Sequence, residues 1–416
     1  MSSFAPLGNP VFRNIWLATV ASNFGGIIQS VAAAWMMATI SRSETMVGLV
    51  YTMSSLPVVL LALVAGALSD RHSPKAVMLW AQVSMAIAST LLAVLTLAGM
   101  MPPSLLLIFT FIVGCGVALH TPAWQASLPE LVRRDQLPDA VSLNSMGFNL
   151  TRSVAPGIGG LIVVAAGATS AFFLNALSYL PLIAVIARWR PPPVQHEASL
   201  GSFISSMAHG FTYALGSVQV SRLLARTLTF GLGAICIQAL LPLVVRDLLR
   251  GGPVELGLLL GGYGAGAVAT GVANHRLRRI FGSETLARLG FCGFMISALV
   301  TAMSRDLWLT VAACTLAGAC WLMTLTLFNA GVQLATSRYV LARTLAIYQI
   351  CLFGGMALGA LLWGALSEQI GPAGALRWAG LFLLCGALMG FHPRLSIAAL
   401  TMPGSRPTPA ATPDDT

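Results

Sequence analysis

Arg152 makes the strongest chemical demand in this sequence. It falls about three helical turns into the apolar run 141–166, and a guanidinium cannot sit among hydrocarbon without a carboxylate, water or carbonyl groups to receive it. No acidic residue lies deep in any apolar run, because Glu44, Asp70, Glu130, Asp135, Asp139, Asp247, Glu255, Glu284, Asp306 and Glu368 all flank one. Two uses of Arg152 follow. It either faces a wet cavity and meets an anionic group of a ligand, or it reaches along its stem to a polar surface. Asn23, Gln29, Gln238, Asn329, Tyr348 and Gln349 stand in similar runs, where every polar group must find a hydrogen bond. Taken singly, each is expected to bridge two helices. As a set they can line a polar cavity.

Other reactive side chains make weaker cases. His120 falls near the end of the run 105–123 with no carboxylate beside it in sequence. A hydrogen-bonded interfacial histidine is the expectation there, ahead of proton handling. Cys115, Cys236, Cys292, Cys314, Cys320, Cys351 and Cys385 all lie inside apolar runs without metal-ligand or redox spacing, so they read as small core residues and no metal site is expected. The run Gly261-Gly262-Tyr263-Gly264-Ala265-Gly266 lies within an apolar helix and does not follow a strand, which excludes a nucleotide loop.

The elements that position these residues follow from composition. Of 416 residues, 56% are hydrophobic and 9% charged, against about 25% charged in a soluble domain. A bilayer core takes about 20 apolar residues as helix, and about twelve runs of that order occur: 15–39, 47–68, 76–98, 105–123, 141–166, 170–187, 224–245, 256–273, 286–303, 307–327, 341–366 and 376–391. An all-α integral membrane protein with about twelve transmembrane helices is expected, with the lipid bilayer as its surroundings. The net charge of +10 is strung along run ends and is not gathered on one surface, so it reads as a topology signal and not as a nucleic-acid patch. With the N-terminus inside, Arg71, Lys75, Arg133, Arg134, Arg188, Arg190, Arg222, Arg226, Arg276, Arg278, Arg279, Arg338 and Arg343 fall on the inner side, while Arg42, Arg246, Arg250, Arg305 and Arg377 fall outside. Both termini are then cytoplasmic.

Arg188-Trp189-Arg190-Pro191-Pro192-Pro193 ends the sixth run and divides the chain. The expected units are an N-terminal six-helix bundle at 1–188, a cytoplasmic linker with an amphipathic helix at 189–222, a C-terminal six-helix bundle at 223–393 and a disordered tail at 394–416. The halves echo one another: Gly66 to Lys75 reads as a charged turn between the second and third runs, and its Gly66-Ala67-Leu68-Ser69-Asp70-Arg71 has a counterpart in Gly271-Val272-Ala273-Asn274-His275-Arg276 after the eighth. Leu128 to Pro138, with its prolines and charges, reads as a surface loop.

Gly66, Asp70, Arg71 and Lys75 match the loop signature of the major facilitator superfamily, although Ser73 stands where that signature has a second glycine. Ser22-Asn23-Phe24-Gly25, Pro122-Ala123-Trp124-Gln125, Ala155-Pro156-Gly157-Ile158-Gly159-Gly160 and the stretch 345–359 resemble the branch of that superfamily holding enterobactin exporters and macrolide-efflux proteins. The resemblance implies two pseudo-symmetric six-helix bundles and an inner-membrane secondary exporter working by alternating access. It implies a gating role for Gly66, Asp70, Arg71 and Lys75, and an antiporter-type fifth helix at Pro156, Gly159 and Gly160. It also implies a cavity lined by the first, seventh and tenth helices. A siderophore is the expected small-molecule cargo and a drug the alternative. The expected driving force is the proton gradient without a cofactor, in a protein working as a monomer. A membrane-embedded transferase would need a nucleophile, base, metal or phosphate site that the sequence does not display, and without a Walker-type loop no nucleotide is expected.

Overall fold

The computed structural model describes residues 5–71, 73–190, 216–336 and 340–389. The amphipathic linker helix and the tail at 394–416 lie outside them. Among the described residues there is no strand, and ten helices are long and apolar enough to cross a membrane. They are α1 (Pro10–Ile40), α2 (Glu44–Arg71), α3 (Pro74–Leu97), α4 (Pro103–Leu131), α5 (Leu137–Arg188), α6 (Val218–Leu243), α7 (Pro253–Ile280), α8 (Ser283–Met303), α9 (Leu307–Ala335) and α10 (Leu341–Met389).

Local sequence explains where they start. Pro10, Pro74, Pro103 and Pro253 occupy first turns, where a missing N–H costs nothing and a fixed φ suits the helix. Asn9 accepts from the Val11 N–H at 2.9 Å and Asp306 from the Leu309 N–H at 2.8 Å, each satisfying an orphan donor of a first turn.

Helices α5 and α10 are 52 and 49 residues long. At 1.5 Å per residue each would reach roughly 75 Å, more than twice the ~30 Å a bilayer core requires. Both are broken once. Gly167 (φ 78°, ψ 168°) and Gly371 (φ 75°, ψ 163°) adopt non-helical backbone conformations that residues with a Cβ rarely tolerate. Each long helix therefore folds into two arms, and the breaks separate the runs 141–166 from 170–187 and 341–366 from 376–391.

Packing repeats between the halves of the chain. Helix α1 packs on α5, α2 on α4, and α3 on both α4 and α5; α6 packs on α10, α7 on α9, and α8 on both α9 and α10. The halves meet along two seams, α2 with α10 and α5 with α7. Each seam is a glycine pair. A Cβ on Gly160 would lie 2.7 Å from Gly257 Cα and 2.5 Å from the Pro253 carbonyl, and one on Gly48 would lie 3.1 Å from Gly364 Cα. Outward-facing apolar side chains such as Leu91, Ile108, Leu161 and Leu177 are exposed, a belt suited to lipid.

Three local expectations are corrected. Residues 66–71 are helical and α3 begins at Pro74, so the stretch expected as a turn from Gly66 is the last part of α2. Helix α4 continues through Pro122 and Pro129 to Leu131, so most of the loop expected from Leu128 is a short break at Val132 and Arg133 and a 3-10 turn at Arg134–Gln136. Arg226 does not sit at a surface: it is completely buried in α6.

Candidate functional site

A cavity of about 490 Å³ lies at mid-depth between the halves. Its wall draws on α1, α2, α3, α4 and both arms of α5 from one half, and on α6, α7 and α9 from the other. Arg152, on the first arm of α5, is exposed there. Its guanidinium stands 5.5 Å from the centre of the Phe148 ring, one turn earlier on the same helix, a cation–π contact. Among the described residues no carboxylate pairs with it, and no carboxylate lines the cavity.

Asn23, Gln29 and Gln238 also line the wall. Gln29 is partly engaged, because the Asn175 side-chain amide donates to its Oε1 at 2.7 Å and to the Tyr179 hydroxyl at 3.0 Å. That contact ties α1 to the second arm of α5. Gln238 and Tyr263 line the opposite wall, and the Gln238 Nε2 and Tyr263 hydroxyl atoms there are buried.

The remaining amide and phenol candidates are elsewhere. Asn329 accepts from the Gln333 side-chain amide at 2.5 Å, and the buried Tyr348 donates to the Leu325 carbonyl at 3.3 Å. Gln349 is exposed. None of the three lines the cavity; Asn329 and Tyr348 serve instead as contacts within and between helices.

The gating candidates divide. The side chains of Gly66, Asp70 and Arg71 lie outside the described residues. Lys75 Nζ donates to the carbonyls of Ala187 (2.9 Å) and Trp189 (2.6 Å), so it satisfies orphan acceptors at the end of α5. Pro156 reaches the cavity wall, Gly159 abuts Ile28 of α1, and Gly160 forms the α5–α7 seam.

Four contacts hold the halves together toward the face opposite the N-terminus. Glu368 accepts hydrogen bonds from the Ser43 hydroxyl (2.8 Å), the Thr45 N–H (3.3 Å) and the Thr45 hydroxyl. Ser367 donates to Glu44, Thr52 donates to the Ala357 carbonyl at 2.9 Å, and Arg246 donates to the Ala38 carbonyl at 2.5 Å. All four contacts join one half to the other.

Several wall residues carry little sequence signal. Tyr51, Tyr263 and Trp321 line the cavity, and in sequence they look like ordinary apolar-run aromatics. His120 lies in the wall too, buried and with no partner for Nε2, which corrects its interfacial expectation. Away from the cavity, Arg226 donates from one Nη to both Glu284 oxygens at 3.0 and 2.8 Å, and Arg288 Nε adds a 3.3 Å contact. The Arg226 guanidinium also stands 5.9 and 5.8 Å from the Phe291 and Phe328 rings. Nothing in the apolar-run pattern marked this pair as buried, although Glu284 and Arg288 stand at i,i+4 spacing.

Two repeated helix sets enclose a shared cavity, and together with the family and relatives of the chain this makes it a membrane transporter and not an enzyme. The chain belongs to the family described as "Transmembrane secretion effector", whose sequence profile matches residues 1–410, a branch of the major facilitator superfamily. It is similar to macrolide efflux protein A of Streptococcus pyogenes, 22% identical over 396 residues, covering 91% of this chain and 94% of the relative. It is also 28% identical over 388 residues to the enterobactin exporter EntS of Shigella boydii serotype 18, covering 90% of each. Its fold matches the crystal structure of the nucleoside transporter NupG with a TM-score of 0.71 at 10% identity, covering 91% of this chain and 97% of that one.

Proposed function

We propose that this protein exports an oxygen-rich, anionic small molecule of the siderophore class across the bacterial inner membrane, by alternating access and in exchange for protons. The observation that carries this reading is the cavity itself: Arg152 is its one cation among the described wall residues, no carboxylate accompanies it, and hydroxyl and amide groups surround it. Such a wall favours an anion bearing many oxygens, because the guanidinium supplies charge and a fixed fork of donors. Tyr51, Phe148 and Trp321 offer ring faces for an aromatic cargo.

The two glycine seams permit the halves to roll on one another, since close backbone contact leaves no interdigitated side chains to separate. The Glu368 and Glu44 contacts would shut the far face, so that cargo would enter from the N-terminal face, which we take as cytoplasmic on the arginine and lysine distribution. Gly66, Asp70 and Arg71 would latch that inner face in the alternate state. We take the working unit to be a monomer of two bundles, 1–188 and 223–393, joined by the linker, and it requires no cofactor beyond the proton gradient.

Efflux of a macrolide-type drug is a second reading, favoured by the apolar share of the wall, in which Ile27, Val31, Val50, Val113 and Leu260 take part. Cells lacking the protein, compared with complemented cells under iron limitation, separate the two. A catecholate or hydroxamate siderophore retained inside the deficient cells supports the first reading, and normal siderophore secretion with retained erythromycin replaces it with the second.

A further inference from the structure

Exchange for protons requires a side chain that gains and loses a proton within the working pH range and meets both faces in turn through the cavity. Candidates are few. The titratable or charged side chains in the described wall are Tyr51 on α2, His120 on α4, Arg152 and Tyr179 on the two arms of α5, and Tyr263 on α7. Helices α1, α3, α6 and α9 contribute none to it. A phenol ordinarily titrates near 10, and a guanidinium stays charged throughout. The buried carboxylate of Glu284 is engaged by Arg226 and Arg288 and does not line the cavity. That leaves an imidazole.

His120 is placed for the task. It lies 17 residues beyond Pro103, the start of α4, and 11 before its end at Leu131, so roughly 25 and 17 Å of helix separate it from the two ends. It is 8% exposed, and its Nε2 has no hydrogen-bond partner. A buried nitrogen in that condition costs stability unless something else uses it. Gln82 Oε1, on the neighbouring α3, is likewise buried without a partner and lines the same cavity. An acceptor for an imidazolium N–H and a nitrogen able to become one therefore share one wall.

We propose that His120 carries the counter-moving proton, with its Nε2 occupied alternately by that proton and by a hydroxyl donor of the cargo. This rests on the exporter reading above. When the cavity opens outward, cargo leaves and Nε2 takes a proton from the external water, giving an imidazolium. When it opens inward, the same N–H bond breaks, the proton passes to cytoplasmic water, and the freed lone pair accepts the next cargo hydroxyl. One nitrogen cannot do both at once. Mutual exclusion on a single lone pair is the negative coupling that exchange demands, and Arg152 supplies a constant charge that does not itself titrate.

The test uses the full chain in proteoliposomes and nanodiscs, with enterobactin and erythromycin as probes. In the wild type, affinity for the transported probe should weaken by up to about tenfold per pH unit as the imidazole protonates, and an imposed pH difference should drive the probe above equilibrium. His120→Gln and His120→Asn should lose both the pH slope and the accumulation, and should equilibrate the probe more slowly than the wild type because a cargo contact is lost. Comparing one probe across variants cancels the probe's own titration. A variant that keeps the wild-type slope or still accumulates the probe overturns the proposal. A wild type that moves neither probe defeats the exporter reading instead, and ¹⁵N-histidine NMR then decides on His120 alone. A resonance absent from His120→Asn and titrating between about pH 5 and 8 supports proton carriage, and one that stays neutral throughout that range refutes it.

Discussion

At the scale of single residues, two arginines of the same type have opposite surroundings. Arg226 has no exposed surface and faces Glu284 and two aromatic rings; Arg152 faces the cavity and one ring. Removing Glu284 would leave a guanidinium in a dry core, a loss of about 3–5 kcal/mol for a broken buried pair. Glu284→Ala should therefore lower the unfolding temperature of the detergent-solubilised protein sharply, whereas Arg226→Met with Glu284→Met, which removes both charges, should recover most of the loss. Arg152→Ala should leave that temperature near wild type, because its head is already solvated. Losing a charge-assisted hydrogen bond to cargo is worth about 1.5–3 kcal/mol, or roughly ten- to a hundredfold in affinity, so export should collapse in Arg152→Ala and survive in part in Arg152→Lys. Sequence marked Arg152 because it stands alone in the middle of a run. It did not mark Arg226, since a charge two turns into a helix beside a run's end looks the same whether it snorkels to water or is capped by Glu284 from α8. Burial there depends on a partner 58 residues away, and run-by-run hydropathy holds no such information.

Among the elements, the seams and the clasp toward the far face set which conformation prevails. Gly160 and Gly364 are 204 residues apart, as are the helix breaks at Gly167 and Gly371, so one repeat supplies both the hinge-like corners and the close contacts. Gly160→Ala would push a Cβ to 2.5 Å from the Pro253 carbonyl, an overpacking cost of about 1–3 kcal/mol paid only while the α5–α7 seam is closed. Spin labels at Arg42 and Arg250, on the turns of the far face, should show a larger share of long distances in this variant. Glu368→Gln should shift the same distances in the same direction, since the Ser43 and Thr45 donors would lose a charged acceptor. The apolar runs on either side of each glycine corner were legible in the sequence because apolar length is a local property, but the corners at Gly167 and Gly371 were not picked out, since glycines are common throughout these runs. The ends of α2 and α4 were not legible either: residues 66–71 and 128–131 carry charge and proline, which read as turns in isolation, yet the helices continue through them, with Leu128 and Leu131 buried at the end of α4.

For the whole molecule, the architecture is a repeated five-helix packing scheme, with a broken long helix closing each copy and a shared cavity between them. Of the wall, the amides on α1 and α6 and the guanidinium on α5 could be picked out beforehand, because polar groups stand out in apolar runs. Asn329, Tyr348 and Gln349 stand out equally and are directed elsewhere, and the difference lies in helix rotation, which amphipathic patterning does not fix when every face is apolar. The account's central claim is that this cavity carries an anionic cargo outward on Arg152. Inside-out membrane vesicles with an acidified lumen test it most directly, with enterobactin supplied outside. Wild-type vesicles should concentrate it in the lumen well above vesicles lacking the protein, and Arg152→Ala vesicles should not. Equal lumenal enterobactin in wild-type and protein-free vesicles, or undiminished accumulation in Arg152→Ala, would contradict the account.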